Sequence, residues 1–112
     1  MKKVEIKDAT VYEAAGHFGV TTMRLNGKDE TGAQKFWVGL SHFLPGGGAD
    51  MAGSGTEKYY FVLDGEITVS TPDGTEYVLR KNDSIFIGPN EQRALLNKTK
   101  MTVSMLVTIN YP

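Results

Sequence analysis

A chain of 112 residues with 40% hydrophobic residues is long enough for one domain with a modest core. Its formal net charge of −1 gives no general attraction to nucleic acid or anionic membranes, and the absence of cysteine excludes disulfides and thiolate metal sites. No segment approaches the roughly 20 apolar residues of a membrane span, and the N-terminus lacks the apolar run of a signal peptide, so we expect a soluble, cytoplasmic protein.

Short strands separated by turn residues account for most of the chain. The only helix-like stretch, residues 11–15, is short. The segments rich in Val, Ile, Phe, Tyr or Thr predict strands at 36–44, 59–63, 67–71, 76–79, 84–87, 93–96 and 102–109. Turn residues fill the intervals at 45–48, 64–65, 72–74, 82–83 and 88–90. Short strands at this spacing predict an all-β sandwich or barrel.

Alternation along the first long strand assigns its faces. Side chains two residues apart share a face of a strand, so Val38, Leu40 and His42 lie together. Because the first two are aliphatic, we expect this face to point inward and to include His42. By the same rule Lys58 and Tyr60 share a face of the next strand.

One spacing pattern begins at the glycine turn. Gly46 is followed by five residues and then by Ala52-Gly53-Ser54; three more residues lead to Lys58, and six more to Gly65. This spacing resembles the first motif of the cupin superfamily, in which two histidines, a glutamate and a final glycine follow the first glycine at these intervals.

A second pattern follows later in the chain. The stretch NDSIFIGPNEQRALLN places Asn82, Gly88 and Asn90 where the second cupin motif has glycine, proline and glycine. Arg93 then stands at the position of the motif's histidine, and Asn97 at that of its asparagine.

The resemblance implies an all-β cupin-type jelly roll, a double-stranded β-helix barrel. We expect a single domain over residues 1–112, with a motif-bearing core at about 36–109 and an N-terminal arm at 1–35. Members of this family commonly pair, so the resemblance also implies a homodimer. No nucleic acid or membrane partner is expected.

All four metal-ligand positions of the resemblance are altered here. Ala52 and Ser54 replace the histidines, Lys58 the glutamate and Arg93 the last histidine. Alanine offers no ligand atom, serine is a poor ligand beside imidazole and carboxylate, and two cationic side chains oppose a metal ion. We therefore expect no metal and no other cofactor. A metal site with atypical ligands is the weaker alternative.

If the motif positions keep their family geometry, the replacement residues converge in the barrel as an anion pocket. Arg93, Ser54 and Tyr60 are the predicted substrate-binding residues, and Lys58 and His42 the predicted catalytic ones. Arginine binds carboxylates, and a lysine in an apolar cavity has a lowered pKa that suits a base or a nucleophile. Structural roles remain open. Lys58 can pair with Glu57, Glu66 or Glu91 while its stem packs along the barrel. Arg93 can form an ion pair at the rim, Ser54 can be a turn residue, and His42 and Tyr60 can belong to the core.

Two classes of function follow. The first is a metal-independent isomerase or lyase acting on a small carboxylated or carbonyl metabolite. The second is a non-catalytic module that binds a small anion or sugar. A bell-shaped dependence of rate on pH favours the enzyme.

Overall fold

The computed structural model describes residues 1–112, and nine strands make up most of them. The strands are β1 Thr10–Tyr12, β2 His17–Asn26, β3 Phe36–Ala52, β4 Lys58–Asp64, β5 Ile67–Ser70, β6 Glu76–Leu79, β7 Ser84–Ile87, β8 Arg93–Leu96 and β9 Val103–Asn110. A 3-10 turn at Ile6–Asp8 and the one-turn helix α1, Lys28–Thr31, are the only helical segments. Neither helix is of a length or character that would let it cross a membrane.

The strands form a nearly closed antiparallel barrel, which confirms the predicted fold class. Their order is β6-β5-β8-β3-β9-β4-β7, with β2 paired to β3 and β1 to β2. The long strand β3 joins the two halves. Its first part pairs with β9, from Phe36 opposite Asn110 to Phe43 opposite Val103, and its second part pairs with β8.

Three of the predicted strands, 76–79, 84–87 and 93–96, have the observed bounds. The N-terminal third differs most from expectation. The helix-like stretch 11–15 begins inside strand β1 instead, and the ten-residue strand β2 was not predicted. The glycine run 45–48 was predicted as a turn, but it lies inside β3.

The glycine run remains in the strand because neighbouring strands come very close to it. An ideal Cβ on Gly47 would lie 2.1 Å from the carbonyl oxygen of Gly19 in β2. One on Gly48 would lie 2.0 Å from the carbonyl oxygen of Leu95 in β8. Only glycine permits this approach, so the run serves strand packing.

Asparagine takes over a backbone role that glycine has in the second motif. Asn82 and Asn90 have φ of 70° and 67°, and they are the only residues other than glycine with positive φ. They occupy the positions at which the cupin motif has glycine. Asparagine is among the residues that tolerate the left-handed region best, so the turns persist despite the substitutions.

The prediction that the β3 face with Val38, Leu40 and His42 points inward is wrong. Phe43 and Ser41 are 0% and 5% exposed, whereas Leu44 is 56% exposed and His42 is half-buried on the outer face. Both parities of this strand contain apolar residues, so alternation alone did not decide between them. The core consists of Phe43, Ala49, Tyr60, Val62, Ile67, Val69, Leu79, Ile87, Leu95, Val103, Met105 and Val107.

Aromatic side chains remain exposed on the outer face of β4 and β7. The Tyr59 and Phe86 rings pack with centroids 5.3 Å apart, and each residue is about half exposed. This apolar surface is compatible with the expected homodimer, which stays a prediction.

We predict that Gly47→Ala lowers the free energy of unfolding by about 3 kcal/mol, because the added methyl group would overlap the Gly19 carbonyl. The midpoint of urea unfolding measures this. Gly55→Ala is the matched control, since a Cβ there meets nothing within 4 Å, and its change should stay within about 0.5 kcal/mol. Equal midpoints for the two variants would contradict the steric account.

Candidate functional site

A cavity of about 170 Å³ lies inside the barrel, where β4 and β8 begin. Its walls come from strands of both halves and from the N-terminal arm, so the fold is needed to assemble it. The residues that line it are Tyr12, Ala14, His17, Thr22, Trp37, Ser41, Phe43, Lys58, Tyr60, Arg93, Leu95, Met105, Val107 and Ile109. The list includes no aspartate or glutamate.

Arg93 is held firmly in the wall of this cavity and is 8% exposed. Its Nε donates to the Tyr60 hydroxyl at 2.8 Å, and its Nη1 donates to the carbonyl oxygens of Asp50 at 3.2 Å and Ala52 at 3.4 Å. Nη2 makes no hydrogen bond within the protein. The guanidinium is therefore oriented by three acceptors and has one nitrogen, with two hydrogens, available to a ligand.

Lys58 is the second cation of the cavity. It is 7% exposed and makes no ion pair or hydrogen bond through its side chain. Burial lowers the pKa of Lys58, and the positive charge of Arg93 lowers it further. Both causes disfavour the ammonium form, so a larger share of neutral amine is present than at a surface lysine.

Tyr60 supports Arg93 as a neutral phenol. It is 3% exposed, and burial raises its pKa, although the charge of Arg93 and the hydrogen bond from it act in the opposite direction. A phenol that keeps its proton still accepts the Arg93 hydrogen bond through an oxygen lone pair. Tyr60 therefore positions the guanidinium without neutralising it.

His17 lines the cavity and was not among the predicted site residues. Burial lowers its pKa, with smaller effects in the same direction from Arg93 and Lys58, while the Ala15 carbonyl and Asp50 oppose them. The imidazole is thus neutral at neutral pH. Its Nδ1 lies 2.9 Å from the Ala15 carbonyl oxygen; since a carbonyl only accepts, Nδ1 bears the proton and Nε2 is left as an acceptor.

The structure brings three of the five predicted site residues together. Lys58, Tyr60 and Arg93 line one cavity, as their motif positions implied. His42 does not: it lies on the outer face of β3, with Nδ1 3.0 Å from the Ser104 hydroxyl. Ser54 does not either: it is exposed in the loop between β3 and β4, where its hydroxyl lies 2.8 Å from that of Thr56.

His17 gave no signal in the motif spacing, because it precedes the first motif by almost thirty residues. The usable sign was the run Val20-Thr21-Thr22, which is β-branched and typical of a strand. In a regular strand, alternation would put His17 on the face opposite to Val20 and Thr22. The local pattern alone therefore points His17 away from the cavity. The register shift between Phe18 and Val20 changes the parity.

The residues at the family's metal positions do not fit a metal ion. Of the cavity-lining side chains, His17 alone belongs to the His, Cys, Asp and Glu types that usually bind transition metals. No group of three or more such residues is close enough together anywhere in the chain to hold one. The ammonium and guanidinium groups of Lys58 and Arg93 would also repel a cation.

A second cavity, of about 190 Å³, has one lining residue in common with the first. Val69, Ile85 and Ile87 form its apolar floor, and Glu91 and Gln92 add polar groups. Arg93 is the only residue that lines both cavities.

Comparison with known proteins gives a consistent family. The family model of the cupin domain, Cupin_2, matches residues 39–109. The chain is 42% identical to Beta-D-galactosidase Rv1717 of Mycobacterium tuberculosis (strain ATCC 25618 / H37Rv) over 112 residues, which cover 100% of this chain and 96% of that protein.

Solved structures show the same fold. The polyketide cyclase RemF from Streptomyces resistomycificus has a TM-score of 0.87 at 23% identity, over 98% of this chain and 79% of that one. A predicted oxalate decarboxylase from Thermotoga maritima has a TM-score of 0.82 at 18% identity, over 99% of this chain and 100% of that one.

We predict that Lys58→Met is more stable than the wild type at neutral pH, by about 1 kcal/mol, because it removes an unpaired buried cation. The folded wild type releases the Lys58 proton at a lower pH than the unfolded chain, whose pKa is near 10.5. Wild-type stability therefore rises with pH between the two pKa values, and the advantage of the variant shrinks towards pH 10.5.

Urea midpoints measured from neutral pH to about pH 10 test this prediction. Lys98→Met is the matched control, since Lys98 is exposed and pairs with Glu76 at 3.0 Å. Its effect should stay within about 0.5 kcal/mol. The prediction is contradicted if Lys58→Met and the wild type are equally stable, or if the difference between them does not change with pH.

Proposed function

The chain belongs to the cupin family, and we propose that its barrel cavity binds a small anionic metabolite, carboxylated or carbonyl-bearing, without a metal ion. One observation supports this most strongly. Two buried cations, Lys58 and Arg93, line one cavity that includes no acidic side chain. Burying an unpaired charge is costly, and a bound anion offsets that cost.

The size of the cavity limits the ligand. At about 170 Å³ it is smaller than the roughly 300–1,000 Å³ of pockets that enclose drug-sized molecules. The apolar part of the wall, from Phe43, Leu95, Met105 and Val107, suits a short carbon skeleton. A small organic acid or sugar acid matches both the size and the charge.

Arg93 contacts the carboxylate through Nη2 in this proposal. A side-on, two-nitrogen grip is not available, because Nε already donates to Tyr60 and Nη1 to two backbone carbonyls. Lys58 supplies the second positive charge. Tyr60 acts indirectly, by keeping the guanidinium in place.

A catalytic role for this cavity requires groups that exchange a proton near neutral pH. Lys58 with its lowered pKa is a base, and the free Nε2 of His17 is a second proton acceptor. His17 takes the role that the sequence assigned to His42. Metal-free isomerisation, dehydration or decarboxylation of a small acid fits these groups, and a purely binding module needs only Arg93 and Lys58.

Thermal unfolding in the presence of lactate, pyruvate and glycerate tests the proposal. We expect each acid to raise Tm, because a ligand at 100 times its Kd stabilises the folded state by about 2.7 kcal/mol. Lactamide, the neutral match of lactate, should have little effect. Lys58→Met and Arg93→Met should weaken binding about tenfold or more, and Lys98→Met should not. Equal shifts with lactate and lactamide would contradict the anion site.

A second candidate is β-galactoside hydrolysis, which the name of the 42% identical relative favours. Most glycosidases use two carboxyl groups roughly 5–10 Å apart, and the first cavity provides none. Two acidic residues near the site are Asp50, close enough to His17 to affect its pKa, and Glu91, in the wall of the second cavity. Under this candidate, hydrolysis of the glycosidic bond takes place at the rim of the first cavity.

The second candidate predicts release of nitrophenol from p-nitrophenyl β-D-galactoside by protein made in a host without galactosidase. Asp50→Asn and Glu91→Gln should each reduce the rate by about 100-fold or more, since each would remove an acid or a nucleophile. A rate that is unchanged in both variants, or no higher than the buffer rate, would dismiss it.

A further inference from the structure

Lys58 occupies a position where a cation has little structural reason to be. Its Cα is paired with Ile87 of β7 and with Ile109 of β9, so apolar residues flank it on both sides. The six ion pairs of the chain involve Lys3, Lys7, Arg24, Arg80 and Lys98, not Lys58. A methionine would fill the same space without the cost of desolvating an amine.

The surroundings of the amine favour attack on a carbonyl. Lys58 shares the cavity with Arg93, and under the proposed function the unbonded Nη2 of Arg93 holds the carboxylate of the ligand. In an α-keto acid the electrophilic carbon is bonded directly to that carboxylate. A ligand anchored at Arg93 therefore presents its carbonyl carbon within the small space that Lys58 also lines.

We propose that Lys58 is a nucleophile that forms an imine with the carbonyl carbon of a small α-keto acid anchored at Arg93. This inference rests on the proposed function and adds the substrate class and the reacting atom. The amine exists partly in its neutral, nucleophilic form because of its burial and the nearby guanidinium.

The chemistry balances without a further reactant. The Nζ lone pair forms a bond to the carbonyl carbon, and the carbonyl π electrons move to the oxygen. His17 Nε2 carries one proton from the nitrogen of this adduct to the oxygen, which gives a neutral carbinolamine with a hydroxyl group. It then carries the second nitrogen proton to that hydroxyl group, which leaves as water while the nitrogen lone pair completes the C=N bond. The product is a C=N bond between Lys58 and the keto acid, with one water released and no change in oxidation state.

Reductive trapping tests the inference on the full chain. The protein is incubated with pyruvate and borohydride, and its mass is measured before and after digestion. We expect one carboxyethyl group, located on Lys58, with about tenfold or more modification than on any surface lysine, because Arg93 holds the keto acid beside Lys58 and the lowered pKa of Lys58 leaves more of its amine neutral. Lactate, which has a hydroxyl group in place of the keto group, should leave no adduct.

Lys58→Arg keeps the positive charge but removes the nucleophilic amine. It should lose the adduct while still being stabilised by lactate, whereas Lys98→Arg should keep the adduct. If lactate and pyruvate stabilise the wild type but no adduct forms on Lys58, the imine proposal is wrong and the anion site remains supported. Absence of both stabilisation and adduct would overturn the two proposals together, and adducts spread evenly over the lysines would overturn the imine.

Discussion

The close approach of β3 to β2 and β8 is the constraint on which the rest of the barrel depends. Gly47 and Gly48 bring the backbone of β3 so near its neighbours that no side chain fits between them. One strand can then belong to both halves of the barrel, pairing with β9 at its start and with β8 towards its end. The second pairing sets Arg93, opposite Ala52, at the cavity wall. The glycine run thus acts on the site through strand geometry, without contacting a ligand.

The interior that results contains an electrostatic imbalance. Lys58 and Arg93 face one small apolar space, and the backbone carbonyls and phenol that hold Arg93 bear no net charge. The chain thus gives up stability at this point, and such local costs are commonly found at functional sites. In the family resemblance the same positions hold ligands for a cation. Here both positions hold cationic side chains, so under the proposed function the barrel binds charge of the opposite sign on the same strands.

Motif spacing predicted the parts of this site that lie on regular strands within the motifs. Lys58, Tyr60 and Arg93 were placed correctly, because fixed intervals and strand parity determine where such side chains point. Ser54 was misplaced because a loop sets its direction. His42 was misplaced because both faces of β3 contain apolar residues. His17 was missed because its position depends on pairing between β2 and β3 across a register shift, which no local pattern contains.

Two cavities of similar volume share Arg93, which alone lines both. A substitution at this one position therefore alters the walls of both cavities at once. A shorter side chain at this position would enlarge both cavities, the second of which has the half-exposed rings of Tyr77 and Phe86 in its wall. Position 93 thus couples the space available to a ligand with the charge that the ligand meets, so one substitution there changes both.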